Sequence, residues 1–243
     1  MIPTLDEGGW IERTVRSALA GGAEVLVVDG GSRDATRERA SAAGARVLFA
    51  ERGRARQLAA GVEASRGEAL VFLHADTLLP ATWRPAVEAA LCDPGVCGGA
   101  FAFRFEREPG RRLGLGLAFV EWGARLRVAL FRWPYGDQGL FLRRSVLEAM
   151  GGVPQVPIME DLDLASAMRR YGRIECLALP VQTSPRRYVR HGPLRTMLRN
   201  WVAAAAWAWG LDRARIAAWY DRTERAIPCA PGTPSTPEAS RSR

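Results

Sequence analysis

Along the first hundred residues, short apolar runs alternate with stretches of helical spacing. EVLVVDGG (24–31) is a β-branched run stopped by glycines, RDATRERASAAGA (33–45) is helix-forming, and RVLFAE (46–51) is a second strand. RARQLAAGVEASRG (54–67) puts Leu58 and Val62 on one helical face, and EALVFLHAD (68–76) reads as a third strand. Strand, helix, strand, helix, strand at this spacing predicts parallel strands joined by right-handed crossovers, an α/β domain. Ligands of such sheets bind beyond the carboxyl ends of the strands. Acids fall there three times: Asp6 and Glu7 after the short opening run, Asp29 after VLVV, and Asp76 after LVFLHA. His74 stands one residue from Asp76, so both would share one side of an extended chain.

The second half has a different pattern. YGDQG (135–139) is a glycine-bounded turn before the apolar run LFL, and the loop VPQVPIM leads into a helix opened by Glu160 and Asp161. Acids at a helix N-terminus are also stabilising for purely structural reasons. TSPRRYVRHGPLRTMLRNW (183–201) then carries five Arg and no acid, followed by WVAAAAWAWGL (201–211). That stretch is apolar nearly all round, as a helix is when buried or lying at a lipid surface. It is shorter than the roughly 20 residues that span a bilayer. From Ile227 the chain is rich in Pro, Ser and Thr, the composition of a tail that stays disordered.

A length of 243 residues at 48% hydrophobic allows one large core. The net charge of +8 is unevenly placed, with 11 Arg against 13 acids in residues 1–100 and 23 against 13 in residues 101–243. All 34 basic residues are Arg, so no Walker lysine exists, and GxGxxG is absent too. Any phosphate must therefore be met by Arg or a metal. Cysteines at 92, 97, 176 and 229 form neither a CxxC pair nor a dense framework, which suggests reduced thiols in a cytoplasmic protein. No signal-peptide pattern follows Met1.

Taken in order, IPTLDE, VVDGGSRDAT (27–36), RARQLAAG (54–61), LHADT (73–77) and MEDLDLASAMRRYG (159–172) resemble the motifs of the family 2 glycosyltransferases of the GT-A fold. The resemblance covers roughly residues 1–190. FLHADT and YGDQG look most like a small bacterial subgroup linked to arsenosugar biosynthesis and to radical-SAM or selenodomain proteins. Similar proteins are labelled carotenoid (diaponeurosporenoate) glycosyltransferases.

The resemblance implies an α/β, Rossmann-like, mostly parallel sheet with a helical extension. It divides the chain into a catalytic domain at 1–190, with a nucleotide half at 1–100 and an acceptor half at 101–190, an extension at 191–226 and a tail at 227–243. It implies an inverting transfer from a nucleotide sugar, UDP-linked by expectation, with Mg²⁺ or Mn²⁺ on the diphosphate. Asp76 would be the metal ligand and His74 a second one, although His74 stands where the family more often has a carboxylate. Pro3, Thr4, Glu7, Asp29, Arg54, Arg56 and Ala75 would border the nucleotide. Asp161 would be the base with Glu160 beside it, Asp137 and Gln138 would touch the acceptor, and Arg186 and Arg187 would close over the diphosphate.

Partners would be the donor and a small-molecule or lipid acceptor, with no nucleic acid and with peripheral membrane contact through residues 193–211 at the inner face of the membrane. A different class, a non-catalytic Arg-rich module for anionic lipid or nucleic acid, explains the charge asymmetry but not the acids at three strand ends. The family's first strand has several apolar residues before its proline where this chain has Met1 and Ile2, which implies an upstream start or a frayed edge of the nucleotide pocket.

Overall fold

The computed structural model describes residues 1–107, 110 and 112–225. The tail expected at 227–243, with Cys229, lies outside them. The chain opens with β1 (Ile2–Thr4), α1 (Ile11–Leu19), β2 (Leu26–Asp29), α2 (Thr36–Ala42), β3 (Arg46–Phe49), α3 (Arg54–Ala64) and β4 (Ala69–Phe72). β1, β2 and β3 pair in parallel, with Ile2 opposite Val27 and Leu26 opposite Arg46. All four residues of β2 are buried, as a parallel strand covered on both faces requires. The Met1 ammonium donates to the Val71 carbonyl at 2.7 Å and the Leu73 N–H donates to the Met1 carbonyl at 3.0 Å. These bonds set β4 beside β1 and join the first sheet to the second.

The second unit runs β5 (Thr77–Leu78), α4 (Trp83–Cys92), β6 (Val96–Phe105), α5 (Leu115–Phe131), a 3-10 turn (Gly136–Gln138), β7 (Leu140–Arg143), α6 (Arg144–Ala149), α7 (Glu160–Met168) and β8 (Arg173–Thr183). Its strand order is β4-β7-β6-β8-β5. β7 is antiparallel to β4 and β6, β5 is antiparallel to β8, and β6 is parallel to β8. The first sheet is thus parallel as the pattern predicts, and the second is mixed.

The strand expected over 68–76 stops at Phe72. Thr77 N–H donates to the His74 carbonyl at 3.2 Å, so the chain turns there to enter β5. His74 and Asp76 therefore do not share one face of an extended strand.

Two apolar layers enclose the sheet. Ile11 and Val15 of α1 with Trp83 and Val87 of α4 fill one side, and Leu58, Leu70, Leu142, Leu147 and Leu164 fill the other. Each such side chain contributes about 1.5–3 kcal/mol on burial. The last described elements are α8 (Arg186–His191), α9 (Pro193–Ala208) and α10 (Arg213–Arg225). Asp163 of α7 holds this extension by accepting from Trp207 Nε1 at 2.7 Å and Arg213 Nη2 at 2.8 Å. Among the described residues no helix is long and apolar enough to cross a membrane.

Candidate active site

The loops after β1 and β2 are laced together. Asp6 N–H donates to Ser32 Oγ at 2.9 Å, Glu7 N–H to Thr36 Oγ1 at 2.8 Å and Gly8 N–H to Asp34 Oδ2 at 2.9 Å, while Asp6 Oδ1 accepts from Arg33 N–H at 2.8 Å. Gln57 of α3 donates to the Thr4 and Val28 carbonyls at 2.8 and 2.7 Å and ties the strand ends together. Asp29 is fully buried, and its carboxylate accepts from the Gly31 and Ser32 N–H groups and the Ser32 hydroxyl. Its oxygens are committed to the turn that shapes the pocket, a role Asp fills well.

A cleft of about 400 Å³ opens beyond β4 and gathers Arg54, His74, Asp76, Asp137, Glu160 and Asp161. Behind Asp76, Arg186 bridges two carboxylates, holding Glu7 with Nη2 at 2.5 and 2.6 Å and Asp76 with Nε at 3.2 Å. Burial pushes the Glu7 carboxyl up, against the pull of Arg186. The two acids, from separate loops, thus converge on one cation. A divalent ion that carries a diphosphate fits such a pair, because Mg²⁺ and Mn²⁺ sites of this kind use one or two carboxylates plus substrate oxygens. Among the described residues no group of three His, Cys, Asp or Glu stands ready as an all-protein cage.

His74 does not belong to that pair. Its Nε2 lies 2.6 Å from Arg54 Nη2, and since a guanidinium only donates, the imidazole accepts and is neutral. Burial, then the charges of Arg54 and Arg187, hold its pKa well below the ordinary value. A metal at Nε2 would have to displace that guanidinium. Arg54 also pairs with Glu160 at 2.9 Å. Arg56, two residues on and about 200° round the helix, pairs instead with exposed Glu51 at 3.1 Å and does not line the cleft.

The opposite wall is acidic. Met159 has φ 65°, a conformation that costs a non-glycine residue on the order of 1 kcal/mol, and it starts α7 so that Glu160 and Asp161 border the cleft. Asp161 Oδ2 accepts from Gly136 N–H at 2.6 Å and Oδ1 from Leu162 N–H at 2.9 Å. A Cβ on Gly136 would lie 2.8 Å from Asp161 Oδ2 and 3.0 Å from Arg54 Nη2, so only glycine permits this approach. Asp137 is partly buried, and its Oδ1 has no hydrogen-bond partner among the described residues. Burial, with Asp161 and Asp76 adding to it against Arg127 and Arg54, raises its pKa to about 6.

Gln138, expected at the acceptor, is buried. Its amide accepts from Arg127 at 2.8 Å and Tyr135 N–H at 3.1 Å and donates to the Phe101 carbonyl at 3.0 Å, so it braces the turn. Arg187 reaches Tyr220 Oη at 2.5 Å. Pro3 borders the small cavity shared by Arg54 and His74, and the Ala75 carbonyl accepts from Thr14 Oγ1 at 2.7 Å. Tyr188, Asn200 and Tyr220 complete the cleft from the C-terminal helices. No motif in the sequence marked these three, and only the arginines around them pointed to the segment.

A family model described as glycosyl transferase family 2 matches residues 1–151. No curated protein matches. A crystal structure described only as that of a mycobacterial protein superposes with TM-score 0.51 at 27% identity, over 75% of this chain and 63% of that one. Glucosyl-3-phosphoglycerate synthase from Mycobacterium tuberculosis, solved with Mn²⁺, UDP and glucosyl-3-phosphoglycerate, superposes with TM-score 0.59 at 22% identity, over 87% of this chain and 79% of that one. The same synthase solved with Mn²⁺, UDP-glucose and glycerol 3-phosphate gives the same TM-score and coverage.

Proposed function

The chain belongs to glycosyl transferase family 2 and has the GT-A fold with a C-terminal helical extension, and from that premise we propose that it is an inverting transferase acting on a nucleotide sugar, UDP-linked in the first instance. The acceptor is the hydroxyl or carboxylate of a small or lipid-like molecule. The observation that carries this reading is the cleft that gathers Asp76, Asp137 and Asp161, with Glu7 joined to Asp76 through Arg186 at its edge.

The donor side must neutralise a departing diphosphate. Mg²⁺ or Mn²⁺ held by Asp76 with Glu7 would supply that charge, as a Lewis acid on the diphosphate oxygens. Arg186 is then free to exchange its carboxylates for those oxygens, with Arg187 beside it, which matches the closing role expected of both. Pro3, Thr4 and Ala75 offer backbone at the nucleotide's edge, and Asp29 acts through the turn it forms. Arg54 positions Glu160 and holds His74 neutral.

The acceptor side must remove a proton as the new bond forms on the face opposite the leaving group. Asp161 is the base by resemblance to the family. A second assignment has its own support: both Asp161 oxygens already accept backbone N–H bonds, whereas Asp137 keeps an unpartnered oxygen and a pKa near working pH. Residues 1–190 form the catalytic part of this reading and 191–226 the extension. The resemblance of FLHADT and YGDQG supports an assignment to the arsenosugar-linked subgroup, and a lipid-like acceptor would be met at the inner membrane face through residues 193–211.

Thermal unfolding with a panel of nucleotide sugars, with and without Mn²⁺, tests the donor assignment. A donor present at 100 times its Kd stabilises the fold by about 2.7 kcal/mol. Asp76→Ala should abolish the Mn²⁺-dependent part of the shift. Absence of a metal-dependent shift with every nucleoside diphosphate would overturn the reading and favour the non-catalytic Arg-rich module.

A further inference from the structure

Helices α5 and α9 run side by side in the same direction. Pro193 packs on Gly116 at one end, Met197 and Trp201 lie against Gly123 midway, and the rings of Trp133 and Trp207 stand 5.0 Å apart at the other end. Both helices are apolar on the outer face as well as the inner one, where Leu117, Val120 and Ala124 of α5 and Met197 of α9 pack on Phe103 and Phe105. α5 sends its only acid inward, where Glu121 is 4% exposed and accepts from Phe105 N–H at 2.7 Å, while Leu115, Phe119, Trp122, Leu126 and Leu130 face solvent. α9 buries Thr196 and Arg199 and exposes Leu194, Leu198, Trp201 and Val202, with Trp209 just beyond its end. At 100° per residue each exposed set falls within an arc of roughly 100°, an outward stripe that a surface helix, whose one apolar stripe meets the core, does not carry.

An exposed apolar face of this extent marks an interaction site. Its charges identify the partner. Arg112, Arg125, Arg132 and Arg195 are exposed on or beside the two stripes. Glu121, turned inward, is the one acid from 112 to 132, and the sequence has none from 184 to 211. A second copy of this face would set arginine against arginine. An anionic lipid surface complements it, with arginines at the phosphates, tryptophans at the interface and aliphatic side chains below. We propose that α5 and α9 together form a plate that lies on an anionic membrane. This extends the contact proposed above for residues 193–211 to a second helix and to a lipid charge.

The plate backs directly onto the cleft. Asn200 and Ala204 of α9 line it, as do Tyr135 and Asp137 just after α5. An acceptor dissolved in the bilayer would thus enter from the membrane side, while a nucleotide donor reaches the β-strand ends from water.

Flotation of the full chain with phosphatidylcholine vesicles, plain or mixed with phosphatidylglycerol and without nucleotide, tests the plate. At least roughly tenfold more protein should float with the anionic vesicles, and the excess should fall with salt. Trp122→Ser/Leu126→Ser and Leu198→Ser/Trp209→Ser should each lose that binding, and Arg112→Gln/Arg195→Gln should lose the preference for anionic lipid. All six side chains are exposed, so melting by circular dichroism and the donor-induced thermal shift should stay as in the parent chain, which separates a failed plate from a failed donor site. Equal flotation of parent and variants, or no flotation at all, would overturn the proposal. So would a dimer in solution that Trp122→Ser/Leu126→Ser dissociates, which would give the face to a protein contact.

Discussion

Asp137 shows how far a single residue's role depends on its surroundings. In the sequence it is one letter of a glycine-bounded turn beside Gln138, and nothing there separates the two. The fold commits Gln138 to bonds with Arg127, Tyr135 and Phe101 and leaves Asp137 Oδ1 unpartnered among the described residues at the cleft. With a folded pKa near 6 against an ordinary 3.8, the native state keeps a proton that the unfolded chain gives up between those values. Stability from this group therefore falls as pH rises through that window and is level above it. Asp137→Asn should raise stability by on the order of 2 kcal/mol at pH 7.5 and by little below pH 4, read from melting temperatures at both. If Asp137 takes the acceptor's proton, donor turnover should show an acid limb near pH 6 that Asp137→Asn removes and Asp161→Asn keeps. The opposite pattern returns the role to Asp161. Asp76, Glu7 and Asp161 were legible because strand ends and a helix start fix where they lie; the division of labour between Arg54 and Arg56 was not, because it depends on helix phase relative to a cleft that the sequence does not show.

At the scale of elements, the parallel half was readable because each strand is a buried apolar run between helices. The mixed half was harder. β6 and β8 are long, and β6 carries adjacent glycines, which blur the sequence pattern of a strand. Their purpose is steric: a Cβ on Gly99 would lie 1.9 Å from the Glu175 carbonyl oxygen and 2.6 Å from the Phe141 ring. Gly99→Ala must push β8 away from β6, and overpacking of this kind costs about 1–3 kcal/mol or more. Chemical denaturation should show that loss, and hydrogen exchange should locate it in β6 and β8 with α2 and β3 unaffected. The early end of β4 has a similar origin, since pairing of β5 with β8 turns the chain at Ala75 and Asp76, and a run of apolar letters does not reveal a partner a hundred residues away.

Over the whole molecule, the C-terminal helices are more than an appendage. They contribute Asn200 and Tyr220 to the cleft on one side and the apolar plate on the other, and their hold on the catalytic part runs through Asp163, which accepts from both Trp207 and Arg213. The sequence marks Asp163 only as one more acid in the first turn of α7, where the helix dipole already accounts for it. Removing it leaves an indole N–H and a guanidinium without their acceptor, a loss of about 1–3 kcal/mol for each partly buried group. Asp163→Ala should therefore loosen α9 and α10 while leaving the strand-end loops intact. Hydrogen exchange should rise over residues 193–225, and the donor-induced thermal shift, which depends on Glu7, Asp76 and Arg186, should persist. An equal loss of donor binding would mean that the extension also shapes the nucleotide pocket, and the division between donor side and acceptor side drawn across this cleft would have to move.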